Sequence, residues 1–265
     1  MSMSVVDREA VMMDMSAPAR VVESAGDDLL FASQRAIGDG VTGSMVLDIH
    51  PGSSTTLGTW VRGLGGRYIA LDTEQKNLDS HRIAGHAACW AGLRSDESST
   101  EDLPFEPGSM NIVHCRSVLC SFTSVRRGRL IKEMAEIARE RLVMIEADWN
   151  TFDGSELVQQ FVAIANRFYK NRKDLFLGKS LEKQVKSVLD GKVPNIVSRS
   201  FAPAQTSDYN HLVLLCNRIE AQIPRASSDY HRIREVGRAL LLESMNAKRE
   251  LYTLPQLFLV EVHKR

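Results

Sequence analysis

Asp48, His50 and Asp72 are the side chains whose types and spacing point most directly to chemistry. Asp48 lies near the end of the apolar run 45–49, and the chain then enters His50-Pro51-Gly52-Ser53-Ser54. A strand that runs into a glycine-bearing loop is the usual cradle of a nucleotide-type α/β sheet, because glycine lacks a Cβ and lets a ligand approach the backbone. Asp72 closes the next apolar run, "RYIALD". An ionised carboxylate there is acceptor-only and can take hydrogen bonds from the hydroxyls of a ribose. The same residue type at a strand-to-helix junction also caps helices. His50 carries an imidazole, a group able to orient or deprotonate a substrate near neutral pH; its alternative is a structural side chain bonded to nearby backbone. Pro51 biases His50 toward extended backbone.

Other candidates are placed by the strands that carry them. His114 sits at the end of "MNIVHC", and Asp148 with Trp149 follows "RLVMIEAD", at the rim where a substrate would enter. His81 and His86 stand at i and i+5, which does not put them on one helical face, and lack an HExxH context; we expect no metal. His211 and His231 fall in the helical second half, and Arg126, Arg127 and Arg129 read as a solvated helix start.

These residues need a sheet to hold them. Apolar runs at 45–49 and 67–72 read as buried strands, 86–93, 110–115 and 141–148 as further strands, with helical segments near 27–37, 55–63 and 127–139 and a polar amphipathic segment at 73–84 between them. Such alternation builds a parallel sheet with helices on both faces. Residues 153–190 and 208–249 are largely helical, 193–201 reads as a strand, and "LPQLFLVEVHKR" closes the chain as an edge or hairpin strand. The balance of 33 basic and 33 acidic residues argues against a general nucleic-acid or anionic-membrane surface. No run approaches the ~20 apolar residues of a membrane span. The four cysteines lack CxxC spacing and read as free thiols of a cytoplasmic protein.

The string "EDLPFEPGSMNIVHCRSVL" (101–119) resembles class I S-adenosylmethionine-dependent methyltransferases, in the small-molecule branch whose usual text is "D-LPF-D-SFD-V". "RYIALDTE", "RLVMIEADW" and "LFLGKSLEKQVKSVLDGKVPNIVSRS" are similar to that family's second strand, fifth strand, and late helix with sixth strand. The resemblance implies a Rossmann-like, doubly wound, seven-stranded sheet with its last strand antiparallel. It implies a helical segment at 1–40 covering the active site, a main domain at 41–265, and helical acceptor-pocket insertions at about 150–250. It implies S-adenosyl-L-methionine as cofactor, a small-molecule acceptor, no nucleic acid or membrane partner, and a possible homodimer.

By the same resemblance, Asp48, His50, Gly52 and Ser53 would face the methionine and ribose, Asp72 would hold the ribose, and Thr73 would border the adenine. Asp96 or Ser99 would reach the adenine amine, and His114, Asp148 and His50 are the candidates for acting on the acceptor. The family's first loop reads acid-x-Gly-x-Gly-x-Gly, whereas this chain has His50 and Ser54 for its first and third glycines. That departure keeps open a scaffold repurposed as a cyclase or isomerase, or as a binding protein. A nicotinamide-dependent oxidoreductase ranks low, because no G-x-G-x-x-G follows the first strand.

Overall fold

The computed structural model describes residues 20–21, 25–92, 102–169, 177–189, 195–221, 223–246 and 250–264. In chain order its elements are β1 (Arg20–Val21), α1 (Ala25–Ile37), β2 (Met45–Ile49), α2 (Thr56–Gly63), β3 (Arg67–Asp72), α3 (Gln75–Ile83) and β4 (Ala87–Trp90). There follow β5 (Met110–Arg116), α4 (Ser124–Ile137), β6 (Ala138–Asp148), α5 (Glu156–Tyr169), α6 (Leu177–Leu189) and β7 (Asn195–Ser200). The last are β8 (Ala204–Thr206), α7 (Asn210–Glu220), α8 (Ser228–Met245), β9 (Tyr252–Thr253) and β10 (Gln256–His263).

The chain divides into two compact units. The larger comprises residues 29–147, 176–200 and 257–265 and holds a seven-stranded sheet in the order β4-β3-β2-β5-β6-β10-β7. Strands β4, β3, β2, β5 and β6 pair in parallel, as their helical crossovers require. β10 pairs antiparallel to β7, with Val260 opposite Ser198. Residues of β2, β5 and β6 are buried almost throughout, the pattern of strands covered on both faces. Their side chains join α4 and α6 in one core that includes Leu47, Val113, Ile131, Met144 and Leu181.

The chain's final strand does not lie at the sheet edge. Leu257, Leu259, Val260, Glu261 and Val262 are buried, as an interior strand demands, while "NIVSRS" of β7 is half-buried or exposed and forms the edge. Polarity therefore decides between the two placements open to the terminal run.

The smaller unit comprises residues 1–28, 148–175 and 201–256. Helices α5, α7 and α8 pack around Phe161, Leu212, Cys216, Ile233 and Leu240. Three short strands in the order β1-β8-β9 form a second sheet that the sequence did not suggest; strands of two or three residues carry too little periodicity to be seen.

Candidate functional site

Parallel register brings the functional loops to one edge of the larger unit's sheet. Asp48 lies opposite Ala70 and His114, and Asp72 lies opposite Trp90, so the loops after β2, β3, β4 and β5 all leave the carboxyl edge. The loop after β2 is built on two left-handed residues, His50 (φ +56°) and Gly52 (φ +69°). The extended backbone that Pro51 favours at His50 is thus overridden. His50 N–H donates to Leu71 O at 2.6 Å, and its ring contacts Thr73 Oγ1 at 3.3 Å and lies 3.8 Å from Asp72 Oδ2. These anchors hold a non-glycine residue where the family has glycine, at a strain of roughly 1–2 kcal/mol.

Asp72 ties this loop to the next. Its Oδ2 accepts from Gly52 N–H at 3.1 Å, while Oδ1 accepts from Glu74 N–H at 2.9 Å and Asn77 Nδ2 at 3.1 Å. The side chain is fully buried and fills three of about four acceptor positions within the protein. Asp72 thus closes the turn that leads into α3 and staples the loop after β2, while α3 itself, with Glu74 at its N-cap, has no side-chain cap. Ser53 and Ser54 are exposed, Gly52 and Thr73 half-buried. A Cβ built on Gly52 meets nothing within 4 Å, so its loop face is open. Beside it, Trp90 is 58% exposed although its indole N–H is fixed to Thr73 O at 3.1 Å. An exposed, anchored tryptophan at a strand's carboxyl end was not singled out from the sequence; its position in "AACW" was the available signal.

Beneath the loop runs a closed polar chain. Tyr68 OH donates to Asp48 Oδ2 at 2.7 Å, His114 Nδ1 lies 2.8 Å from Asp48 Oδ1, and His114 Nε2 lies 3.1 Å from Ser33 Oγ on α1. Ser33, Asp48 and His114 have no exposed surface. Burial alone would raise the Asp48 carboxyl, but the His114 imidazole, Arg116 and the Tyr68 hydroxyl outweigh it and hold the pKa below the ordinary range. The Tyr68 hydroxyl is pushed well up by its burial and by Asp48. With both ring nitrogens engaged and no accessible surface, His114 braces Asp48 rather than reaching outward.

The loop after β5 is held from both sides by groups that the sequence reading missed. Glu146 Oε1 accepts from Val118 N–H at 2.9 Å and Leu119 N–H at 2.6 Å. Arg127 donates from Nε to Leu119 O and from Nη2 to Phe122 O, each at 3.0 Å, and from Nη1 to Gln184. Burial drives the Glu146 pKa up to about 7, against the downward pull of the Leu119, Val118 and Cys120 donors. Arg126 and Arg127 are 2% and 3% exposed, so the expected solvated helix start holds only for Arg129. Their cations are buried because loop carbonyls, Gln184 and Glu133 receive them. A glutamate inside the apolar run "VMIEA" was the legible sign of this clamp.

Asp148 belongs to the smaller unit, where it is 3% exposed and accepts from Asn150 N–H at 3.1 Å, capping the turn 149–151. Trp149 packs edge-on against Phe152. Asp96 and Ser99 lie outside the described residues. Among the described residues no group of three or more His, Cys, Asp or Glu could hold a metal, and no helix is long and apolar enough to cross a membrane. The four cysteines are free thiols.

Residues 47–144 match the family model described as a methyltransferase domain. No curated protein sequence matches the chain. Among solved structures, a putative methyltransferase from an antibiotic biosynthesis pathway of Anabaena variabilis is 14% identical, with a TM-score of 0.57 and coverage of 91% of this chain and 98% of that one. The YcgJ protein of Bacillus subtilis is 13% identical, with a TM-score of 0.54 over 90% of this chain and 99% of that one. The phosphoethanolamine N-methyltransferase 2 of Haemonchus contortus, solved with phosphomonomethylethanolamine and S-adenosylhomocysteine, is 13% identical, with a TM-score of 0.51 over 93% of this chain and 55% of that one. The larger unit thus has the Rossmann-like fold of class I S-adenosylmethionine-dependent methyltransferases. Residues 47–144 are the part of the chain that matches the methyltransferase-domain model, and that match lends no support to a repurposed cyclase.

Proposed function

We propose that this chain binds S-adenosyl-L-methionine at the carboxyl edge of β2, β3 and β4 and transfers its methyl group to a small-molecule acceptor. The observation that carries the reading is the Gly52–Asp72 staple beside the half-buried Thr73 and the exposed Trp90. The family match over 47–144 supports it, as does the bound S-adenosylhomocysteine of the Haemonchus enzyme.

The residues present suit the cofactor. The open face of Gly52 admits close approach to the backbone and the Trp90 indole offers a flat wall for adenine, while the buried Asp72 keeps one acceptor position that a ribose hydroxyl reaches once the His50 ring facing Oδ2 moves aside. Asp96 or Ser99 is assigned to the adenine amine. The cofactor supplies an electrophilic methyl group on a sulfonium. The chain's own part is to align the acceptor and exclude water. His50, with a half-exposed ring at this edge, is the candidate for orienting the acceptor or taking its proton. Asp48, His114, Glu146 and Arg127 act through the loops they brace.

Titration calorimetry with S-adenosylmethionine and S-adenosylhomocysteine tests the proposal. We expect affinities on the order of micromolar, about −8 kcal/mol. Absence of heat with both ligands at concentrations on the order of millimolar would overturn it.

A further inference from the structure

His81 and His86 are not on one helical face, yet their rings meet. Helix α3 ends in a turn in which Gly85 adopts φ +76°, Gly85 N–H donates to Arg82 O, and His86 N–H donates back to His81 O, both at 2.9 Å. This six-to-one closure juxtaposes the third residue from the helix end with the second beyond its cap, here His81 and His86. Their Nδ1 atoms lie 3.3 Å apart, both rings pack against Tyr68, and Gly58 leaves the space that His86 fills. His81 Nε2 reaches Gly52 O at 2.9 Å.

Hydrogen-bond logic fixes the protons. Gly52 O only accepts, so His81 Nε2 carries the hydrogen, and in a neutral ring Nδ1 is then the acceptor. The 3.3 Å contact requires the donor to be His86 Nδ1–H, which leaves His86 Nε2 bare. That nitrogen is buried with no hydrogen-bond partner among the described residues. Burial, His81 and the nearby Arg62 guanidinium hold the His86 pKa below the ordinary range, in keeping with a neutral ring. The two peptides flanking the Gly52 Cα are consequently each secured by one side chain: Asp72 takes the N–H and His81 the carbonyl.

We propose that His81 and His86 are positioning residues for the cofactor loop, a tautomer-fixed imidazole pair that locks the left-handed Gly52 in a loop lacking the other two glycines. The proposal rests on the reading of residues 50–54 as a cofactor cradle, and one arm of its test needs no ligand. In the wild-type protein, nitrogen-15 histidine spectra should show His81 protonated on Nε2 and His86 on Nδ1. His81→Phe should weaken S-adenosylhomocysteine binding about tenfold, the worth of one neutral hydrogen bond, and speed amide exchange at Gly52. His81→Gln, whose amide nitrogen can reach the same carbonyl, should return the affinity to within about twofold of wild type. A His86 ring protonated on Nε2, or a folded His81→Phe protein with unchanged affinity and exchange, would overturn the proposal. If the wild-type protein binds no S-adenosylhomocysteine, the cofactor reading fails, and the tautomer pattern with the Gly52 exchange rate still decides the pair.

Discussion

Replacing Glu146 by glutamine tests the electrostatics of the clamped loop. The carboxyl is 1% exposed, and its pKa rises from 4.5 to about 7. Below pH 4.5 both the folded and unfolded chains hold this proton, so the group contributes nothing to pH dependence. Between 4.5 and about 7 the folded state retains a proton that the unfolded state has lost, so stability falls as pH rises and levels off above about 7. The interval is worth about 3 kcal/mol at 25 °C. Glutamine keeps an oxygen for the Val118 and Leu119 amides but has no charge to bury. The assay is urea unfolding of both proteins at about pH 5 and about pH 8.5. Comparing the two proteins cancels every other titrating group. Relative to wild type, Glu146→Gln should gain about 2.5 kcal/mol between the lower and the higher pH, since the lower pH already lies above the lower end of the interval. An equal difference at both values would show that Glu146 is ionised in the fold throughout, and the reasoning from burial would be wrong.

Gly58→Ala should destabilise by roughly 1–3 kcal/mol in thermal or urea unfolding, reversing the usual helical preference for alanine, because a Cβ there stands 2.6 Å from His86 Cε1 and 2.7 Å from Tyr68. His50→Gly should leave stability within about 1 kcal/mol of wild type, relief of left-handed strain offsetting the flexibility of glycine. It should tighten S-adenosylhomocysteine binding by freeing the side of Asp72 Oδ2 now faced by the imidazole; weaker binding would mean that the ring contacts the ligand. Asp72→Ala should lower cofactor affinity by roughly 1–3 kcal/mol, and unchanged affinity would make Asp72 a structural staple alone. His114→Leu should destabilise by about 3 kcal/mol by removing the largest of the groups that compensate the buried Asp48, with the Tyr68 hydroxyl and Arg116 left. Since the Asp48 pKa is lowered, its stabilisation in the wild type is complete above 3.8 and is lost as pH falls below that value, a window that acid unfolding of the variant should lack.

The strands and crossover helices of the larger unit were legible because runs such as "MVLDI" and "RYIALD" are apolar apart from Asp48, Arg67 and Asp72 near their ends, as strands covered on both faces must largely be. Asp72 was legible through its place at a strand end. The contacts at i and i+5 in α3 were not, because a left-handed Gly85 folds His86 back onto His81, and helical periodicity stops at the cap. His50 was misjudged for a related reason: local proline sterics lost to three anchors, Leu71, Thr73 and Asp72, that come from a different strand. Arg127 has no sequence signature, since only the folded loop presents the carbonyls that pay for its burial.

β7 touches the sheet through β10 alone, and some 55 residues of intervening chain separate the two. During synthesis the strand at 195–200 therefore emerges before any neighbour exists for it, and the flank of β6 waits bare for the same late arrival. Closing so distant a pairing is entropically slow, and apolar flanks left open meanwhile invite wrong partners. The maturation of this protein should accordingly be timed by its final hairpin-like closure, with chaperone dependence greatest in the interval before residues 256–263 become free to insert.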